Sequence, residues 1–242
     1  MTYCVGVKLE TGLVFASDSR THAGVDNYAR FCKMTVFEKA GDRVLVLLSS
    51  GTLAGTQAVI HLLRRRALGA PPHLWSVGTI FEVALLVSDA MREVDGRDSP
   101  FLEASGLHFN ASFLLGGQIQ GEEMQLFRIY AEGNFIEAGA ETNFLQTGET
   151  KYGKPILDLA VTHEATVEDA TKCVLVSFYT TMGSNLSVGM PIDLLCYAKD
   201  SLQVTMQRRF DEGDRYFQRL TSQWLDGTRR VFQGLPLLEW AE

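Results

Sequence analysis

Apolar positions in the first fifty residues come in short runs divided by polar turns. Tyr3 to Leu9 ends at Thr11-Gly12 and Leu13 to Ser17 resumes the run, which predicts a β-hairpin. The polar stretch THAGVDNYAR interrupts it. MTVFEK, the turn AGDR and VLVLLSS then predict two more strands. Val44 to Leu48 is apolar at every position, so this strand is expected to be covered on both faces.

The period then lengthens. Leu53, Ala54, Val59, Ile60, Leu62, Leu63 and Leu68 predict a helix over Thr52 to Leu68, with Arg64 to Arg66 complementing its C-terminal dipole. After Pro71-Pro72 a second helix is expected from about Val77 to Val94, with Phe81, Ala84, Leu85, Val87 and Met91 near one face. FNASFLLGGQI, MQLFRIYA and NFIEA read as strands. Tyr152 to Thr162 and Thr166 to Met182 read as helices, and IDLLCYAK and SLQVTMQ as strands. Strands and helices in blocks imply antiparallel sheets with helices outside them rather than alternating βαβ units.

The last stretch differs. From Met206 to about Arg230, Phe210, Phe217, Leu220 and Trp224 sit at offsets compatible with one face of a charged helix. The end, VFQGLPLLEWAE, is more apolar than a free tail, and it suits docking either on the chain's own body or on another subunit. The division expected is one main domain over 1–205 and a helical C-terminal extension over 206–242.

Composition narrows the function classes. The net charge of −7 argues against nucleic acid as the main partner. The four cysteines, Cys4, Cys32, Cys173 and Cys196, form no Cys-x-x-Cys pair, which fits reduced, mostly buried thiols. No run approaches the roughly 20 apolar residues of a membrane span, and Lys8 and Glu10 break any signal-peptide core, so a cytoplasmic protein without membrane contact is expected. Glycine-rich phosphate loops and the Gly-x-Ser-x-Gly elbow are missing, and the five histidines are scattered, which removes support for a zinc site or a serine triad.

Thr2 stands out because a predicted strand begins directly behind it. An N-terminal threonine is a nucleophile that needs no histidine, since its own α-amine takes the hydroxyl proton. Such an amine ordinarily titrates at about 7.7–8, and a nearby lysine lowers that value. Removal of Met1 is required, because an amide-bonded nitrogen is no base. Asp18 at the second strand's end, Lys33 before the third and Gly51 after the fourth supply a lysine, a carboxylate to hold it and a backbone N–H for an oxyanion.

Together these residues resemble the proteasome β-subunit family. T-x-x-x-G-V-K-x-x-x-G-x-V-x-A-S-D-S-R-T-x-A-G from Thr2 to Gly24, then Lys33 and the S-G-T of Ser50 to Thr52, look like the opening of a mature β-subunit. Within the family the lack of a propeptide is HslV-like. The S-N-L-S-V-G-M-P-I-D stretch from Ser184 to Asp193 and the C-terminal extension most resemble the bacterial Anbu (ancestral β-subunit) group. The resemblance implies an α+β fold, the four-layer αββα sandwich of two antiparallel sheets found in N-terminal-nucleophile hydrolases. It also implies a threonine-type peptidase or amidohydrolase in a ring-like or helical homo-oligomer, acting on a peptide or other amide without a metal or organic cofactor. It admits an ATP-dependent partner, which the sequence does not identify.

Carried over, Thr2 is nucleophile and base, Lys33 tunes its amine, Asp18 holds Lys33, and Gly51 offers the oxyanion N–H. Arg20, Thr147, Ser184 and Ser187 are supporting positions, and Ser49 and Thr21 line the substrate pocket. The chain also departs from the family pattern. Lys33 comes one residue early, and Gly51 stands alone where two glycines are frequent, which shifts the donor to the preceding residue if Gly51 matches the second. Gln146-Thr147-Gly148 replaces a Gly-Ser-Gly element, and Ser184 stands in place of an aspartate. These changes keep a second reading open: a proteasome-like scaffold with weak or absent catalysis.

Overall fold

The strand Arg43–Gly51, apolar at every position from Val44 to Leu48, is covered on both faces along that run in the computed structural model, which describes residues 2–22 and 28–238. Met1, the Ala23-Gly24 end of the opening motif and Trp240 lie outside the described residues. We label the strands in chain order. β1 is Tyr3–Lys8, β2 Gly12–Asp18, β3 Arg20–His22, β4 Tyr28–Arg30, β5 Met34–Lys39 and β6 Arg43–Gly51. They continue as β7 Ala111–Ile119, β8 Gln125–Ile129, β9 Phe135–Glu137, β10 Phe144–Gly148, β11 Ile192–Ala198 and β12 Met206–Phe210. The helices are α1 Leu53–Arg66, α2 Ile80–Ala104, α3 Lys154–Ala160, α4 Val167–Ser184 and α5 Arg215–Gln233.

Two five-stranded antiparallel sheets form, in the orders β10-β1-β2-β11-β12 and β5-β6-β7-β8-β9, with β3 and β4 as a separate hairpin. Side-chain alternation sorts each strand between two layers. Leu45 and Leu47 of β6 face Val59, Leu63, Val83, Val87 and Met91 of α1 and α2. Val44, Val46 and Leu48 face the other sheet, where they meet Cys4, Leu13, Phe15, Leu195 and Tyr197. On the far side Tyr3, Val5, Val14, Ile192 and Leu194 pack under Val174, Leu175 and Phe178 of α4 and Phe217 of α5. The result is the expected αββα sandwich.

Two glycines let the sheets approach each other. A Cβ on Gly6 would sit 2.8 Å from Leu126 Cδ1, and one on Gly116 would sit 2.7 Å from Phe15 Cζ. Each bulky side chain of one sheet fills the space a glycine leaves in the other, which is how a close-packed layer forms between them.

Several sequence readings shift. The helix expected over Val77 to Val94 starts at Ile80 on a capping box of Thr79 and Glu82 and continues to Ala104. Its buried residues end at Val94, so the apolar period stops while the helix projects onward as a mostly polar rod. Its core face carries Ile80, Val83, Ala84, Val87 and Met91, whereas Phe81 and Leu85 are exposed. Met206–Phe210 is not helical: it is the edge strand β12, paired with β11, and α5 starts at Arg215 behind the N-cap Asp214. Phe210 lies one heptad before Phe217, which imitates a helical face, while Met206 to Arg209 are exposed and show no alternation. The strand expected over SLQVTMQ therefore falls about five residues later. The short pieces β3, β4 and β10 have too little apolar pattern to be read in advance.

Phe15→Ala is expected to lower stability by about 3–5 kcal/mol, because it opens a void above Gly116 between two rigid sheets. Denaturant unfolding against the parent protein checks the size of the loss.

Candidate functional site

Asp18 ends β2, is completely buried and gathers four N–H donors. Oδ1 accepts from the Tyr3 amide at 3.0 Å and from Lys33 Nζ at 2.6 Å. Oδ2 accepts from the amides of Arg20 at 3.2 Å and Gly189 at 3.3 Å. Burial pushes the Asp18 carboxyl up, while Lys33 and the Tyr3 and Gly189 amides act against that shift. Lys33 is itself buried, and Nζ makes a second bond to the Arg20 carbonyl at 2.6 Å. With its ammonium held by two acceptors, Lys33 has one fixed position.

Thr2 precedes β1, is 7% exposed and sits where β1 runs between β2 and β10. Tyr3 pairs with Gly148, and the Thr2 carbonyl accepts from the Glu149 amide at 2.6 Å. Gly148, at φ +83°, allows this contact, since a Cβ there would meet the Thr2 carbonyl oxygen at 2.1 Å. Behind Thr2, the Tyr3 hydroxyl meets Ser177 Oγ at 2.9 Å and accepts from Gln146 Nε2 at 3.0 Å, which fixes the strand from below.

Gly51 closes β6 at φ +104°, and a Cβ there would lie 2.1 Å from the Asn110 carbonyl oxygen. No other residue fits that position without moving β7. The Thr52 amide already donates to that carbonyl at 2.6 Å. Ser50 Oγ and Thr147 Oγ1 lie 2.7 Å apart and join the two sheets beside Thr2. Ser49 donates its amide to the Lys33 carbonyl at 2.9 Å, so the end of β6 is tied to the residue before β5.

These elements surround a cavity of about 530 Å³. Of the positions singled out in the sequence, Thr2, Thr21, Lys33, Ser49, Gly51 and Thr147 line it. Asp18 stands behind Lys33. Arg20 donates Nη1 to the Leu186 carbonyl at 2.9 Å and passes over Gly189, where a Cβ would lie 2.3 Å from Arg20 Cζ. Arg20 thus braces the loop that brings the Gly189 amide to Asp18. Ser184 is the exposed last residue of α4 and does not line the cavity. Ser187 is half-buried, and its amide donates to Asn185 Oδ1 at 2.9 Å.

Some of the residues around Thr2 gave no advance signal. Glu149 is buried, and its carboxylate accepts from Asn185 Nδ2 at 2.8 Å and from the Lys151 amide at 2.8 Å. A buried carboxylate therefore sits on the residue that bonds Thr2, on a different element from the family aspartate position. Asn185 lies inside the S-N-L-S-V-G motif, so it was within reach of the sequence, but Glu149 was not. Asn110, Ser112 and Arg128 also line the cavity. Among the described residues no group of three or more His, Cys, Asp and Glu side chains is placed to hold a metal ion, and no helix is long and apolar enough to cross a membrane.

No protein-family model and no curated protein matches the chain. Solved structures do. The Anbu (ancestral beta-subunit) from Yersinia bercovieri is 43% identical over 99% of this chain and 100% of that chain, with a TM-score of 0.93. An Anbu (Gly-1) mutant from Hyphomicrobium sp. strain MC1 gives 43% identity over 99% and 100%, with a TM-score of 0.93. The structure described as the helical assembly of the Anbu complex from Pseudomonas aeruginosa is 46% identical over 98% of both chains, with a TM-score of 0.94. At such identity across almost the whole of both chains, this chain belongs to the Anbu (ancestral β-subunit) family of proteasome-type proteins.

Proposed function

We propose that the protein is a threonine-type amide hydrolase in which Thr2, freed at its α-amine by removal of Met1, is both nucleophile and base. One observation carries this reading: the buried Lys33–Asp18 pair shares a cavity edge with Thr2 at the rim where the two sheets open. A buried ion pair is poor evidence of stability in itself. Its presence beside an N-terminal threonine instead suits the tuning of an amine.

In the proposed reaction Thr2 Oγ1 attacks the scissile carbonyl while the α-amine takes its proton. Backbone N–H groups at the end of β6, around Gly51, receive the developing oxyanion. Collapse expels the leaving amine, which picks up that proton, and leaves an ester on Thr2. Water, deprotonated by the same amine, then splits the ester and restores the hydroxyl. Lys33 disfavours protonation of the amine, and Asp18 keeps Lys33 in place while holding the Tyr3 amide.

The working unit is a homo-oligomer. Val231, Phe232, Leu235, Leu237 and Leu238 form an exposed apolar segment at the end of α5, and the Pseudomonas aeruginosa relative is described as a helical assembly. The exposed Ser184 favours the scaffold reading to the extent that a carboxylate there is needed for catalysis.

Intact mass and labelling by a peptide vinyl sulfone, a probe for N-terminal threonine, decide between them. A hydrolase lacks Met1 and is labelled on Thr2. Thr2→Ala abolishes the label, and Lys33→Ala slows it about 10²-fold or more. Retained Met1, or a free Thr2 that does not react, leaves the scaffold. The labelling rate should rise with pH to a plateau with a midpoint at or below about 8, the ordinary α-amine range. Lys33→Met moves that midpoint upward, because loss of a neighbouring cation makes the amine easier to protonate. Paired Phe232→Asp and Leu237→Asp changes should shift the sedimentation coefficient toward the monomer while far-ultraviolet circular dichroism is unchanged.

A further inference from the structure

The layer between the sheets changes character where it reaches the cavity. Stepping by two along inward-facing positions, β6 goes from Leu48 to Ser50 and β7 from Leu114 to Ser112. β10 goes from Leu145 to Thr147, and β8 from Leu126 to Arg128. Three strands end in a hydroxyl. The fourth ends in a guanidinium, on a residue paired across the ladder with Leu114.

Arg128 differs from other cations of the interior. Lys33 is paired with Asp18 and Arg43 with Asp42 at 3.1 Å. Arg128 has no carboxylate partner among the described residues, and its Nε is buried without a hydrogen-bond acceptor. Two other buried side-chain atoms share that condition, Ser17 Oγ and Asn143 Nδ2, but both are neutral and neither residue lines the cavity. The contact the structure does provide is the Tyr130 ring, 4.7 Å from Arg128 Cζ, which orients the guanidinium plane and satisfies none of its donors.

A buried donor without an acceptor is costly, more so when it carries charge. Among the described residues the wall supplies no acceptor of opposite charge: those lining the cavity are Lys33, Arg128 and neutral residues, with no Asp or Glu. Since Lys33 is already neutralised by Asp18, the uncompensated charge among the described lining residues is that of Arg128. A planar fork of N–H groups matches a carboxylate better than any other common ligand group. Thr2 and Arg128 border one space of about 530 Å³, so a single small ligand can present a carbonyl to one and a carboxylate to the other.

We propose that Arg128 is a specificity residue that selects acidic substrates, peptides or related amides bearing an aspartyl- or glutamyl-type carboxylate beside the scissile bond. The catalytic consequence rests on the hydrolase reading above; the recognition of a carboxylate does not.

The test therefore has two arms. In Thr2→Ala protein, which removes the reaction, binding of N-acetyl-Ala-Ala-Glu-amide is compared with the Gln-amide by calorimetry. The acidic peptide should bind about 10- to 100-fold more tightly, the range of one charged hydrogen-bond pair. Arg128→Gln should erase the difference, Arg128→Lys should keep part of it, and added salt should reduce it. In protein with an intact Thr2, a peptide vinyl sulfone ending in Glu should label faster than its Gln counterpart, and Arg128→Glu should reverse the order in favour of a Lys probe. Equal binding of the two amides by Thr2→Ala protein overturns the proposal, as does a Glu preference that survives Arg128→Gln. If Arg128→Gln fails to fold, the parent comparison and Arg128→Lys still decide. An Arg128-dependent preference in the binding arm without labelling of Thr2 supports this inference and removes the hydrolase reading alone.

Discussion

The Asp18 carboxylate ties together four points of the chain, from the neighbouring Arg20 to Gly189 in the loop before β11. Through the Tyr3 amide it holds the strand behind Thr2, through Lys33 the approach to β5, through Arg20 the start of the β3 hairpin, and through Gly189 the loop leading to β11. A buried carboxylate demands such donors, because an unsatisfied charge in this position is several kcal/mol too costly to keep. That demand sets the geometry. If any one donor moves, the carboxylate loses compensation and the other three must adjust. The site is thus positioned by the end of one strand rather than by a flexible loop.

Around that point the sandwich works by exchanging bulk for space. Gly6 and Gly116 admit Leu126 and Phe15 between the sheets, while Gly148, Gly51 and Gly189 admit a backbone or a guanidinium at the rim. The first pair sets the spacing of the sheets. The second group sets how closely β10 approaches the start of β1, the lead into β7 the end of β6, and Arg20 the loop before β11. The interior and the site therefore follow one steric rule. They differ in what enters the space: hydrocarbon in the middle, polar atoms at the edge.

Much of this was legible in the sequence for physical reasons. Long runs such as Val44 to Leu48 announce a doubly covered strand, and a period of 3.6 announces α1 and α4. Legibility failed where the period did. The far half of α2 has no core face, β12 has one buried residue, and the seven-residue step from Phe210 to Phe217 spans a strand and a helix while looking like one helix. At the site, Thr2, Lys33 and Gly51 could be picked out because a strand starts or ends beside them, and the resemblance to β-subunits joined them. Glu149 and Arg128 were silent: one depends on β10, which no pattern revealed, and the other is a charged residue inside an otherwise ordinary strand.

The position of β1 bears on how firmly Thr2 is held. It is not an edge strand: β10 lies on one side and β2 on the other, and the residue ahead of it is bonded through its carbonyl and buried. Such a strand cannot be drawn out of its sheet without breaking a ladder on each side. One of the two partners, β10, is made over a hundred residues downstream, so Thr2 reaches its final position only after that strand has been synthesised and paired. The Thr2 carbonyl is thus fixed by a late contact, the Glu149 amide, and not by the hairpin that follows Thr2 directly.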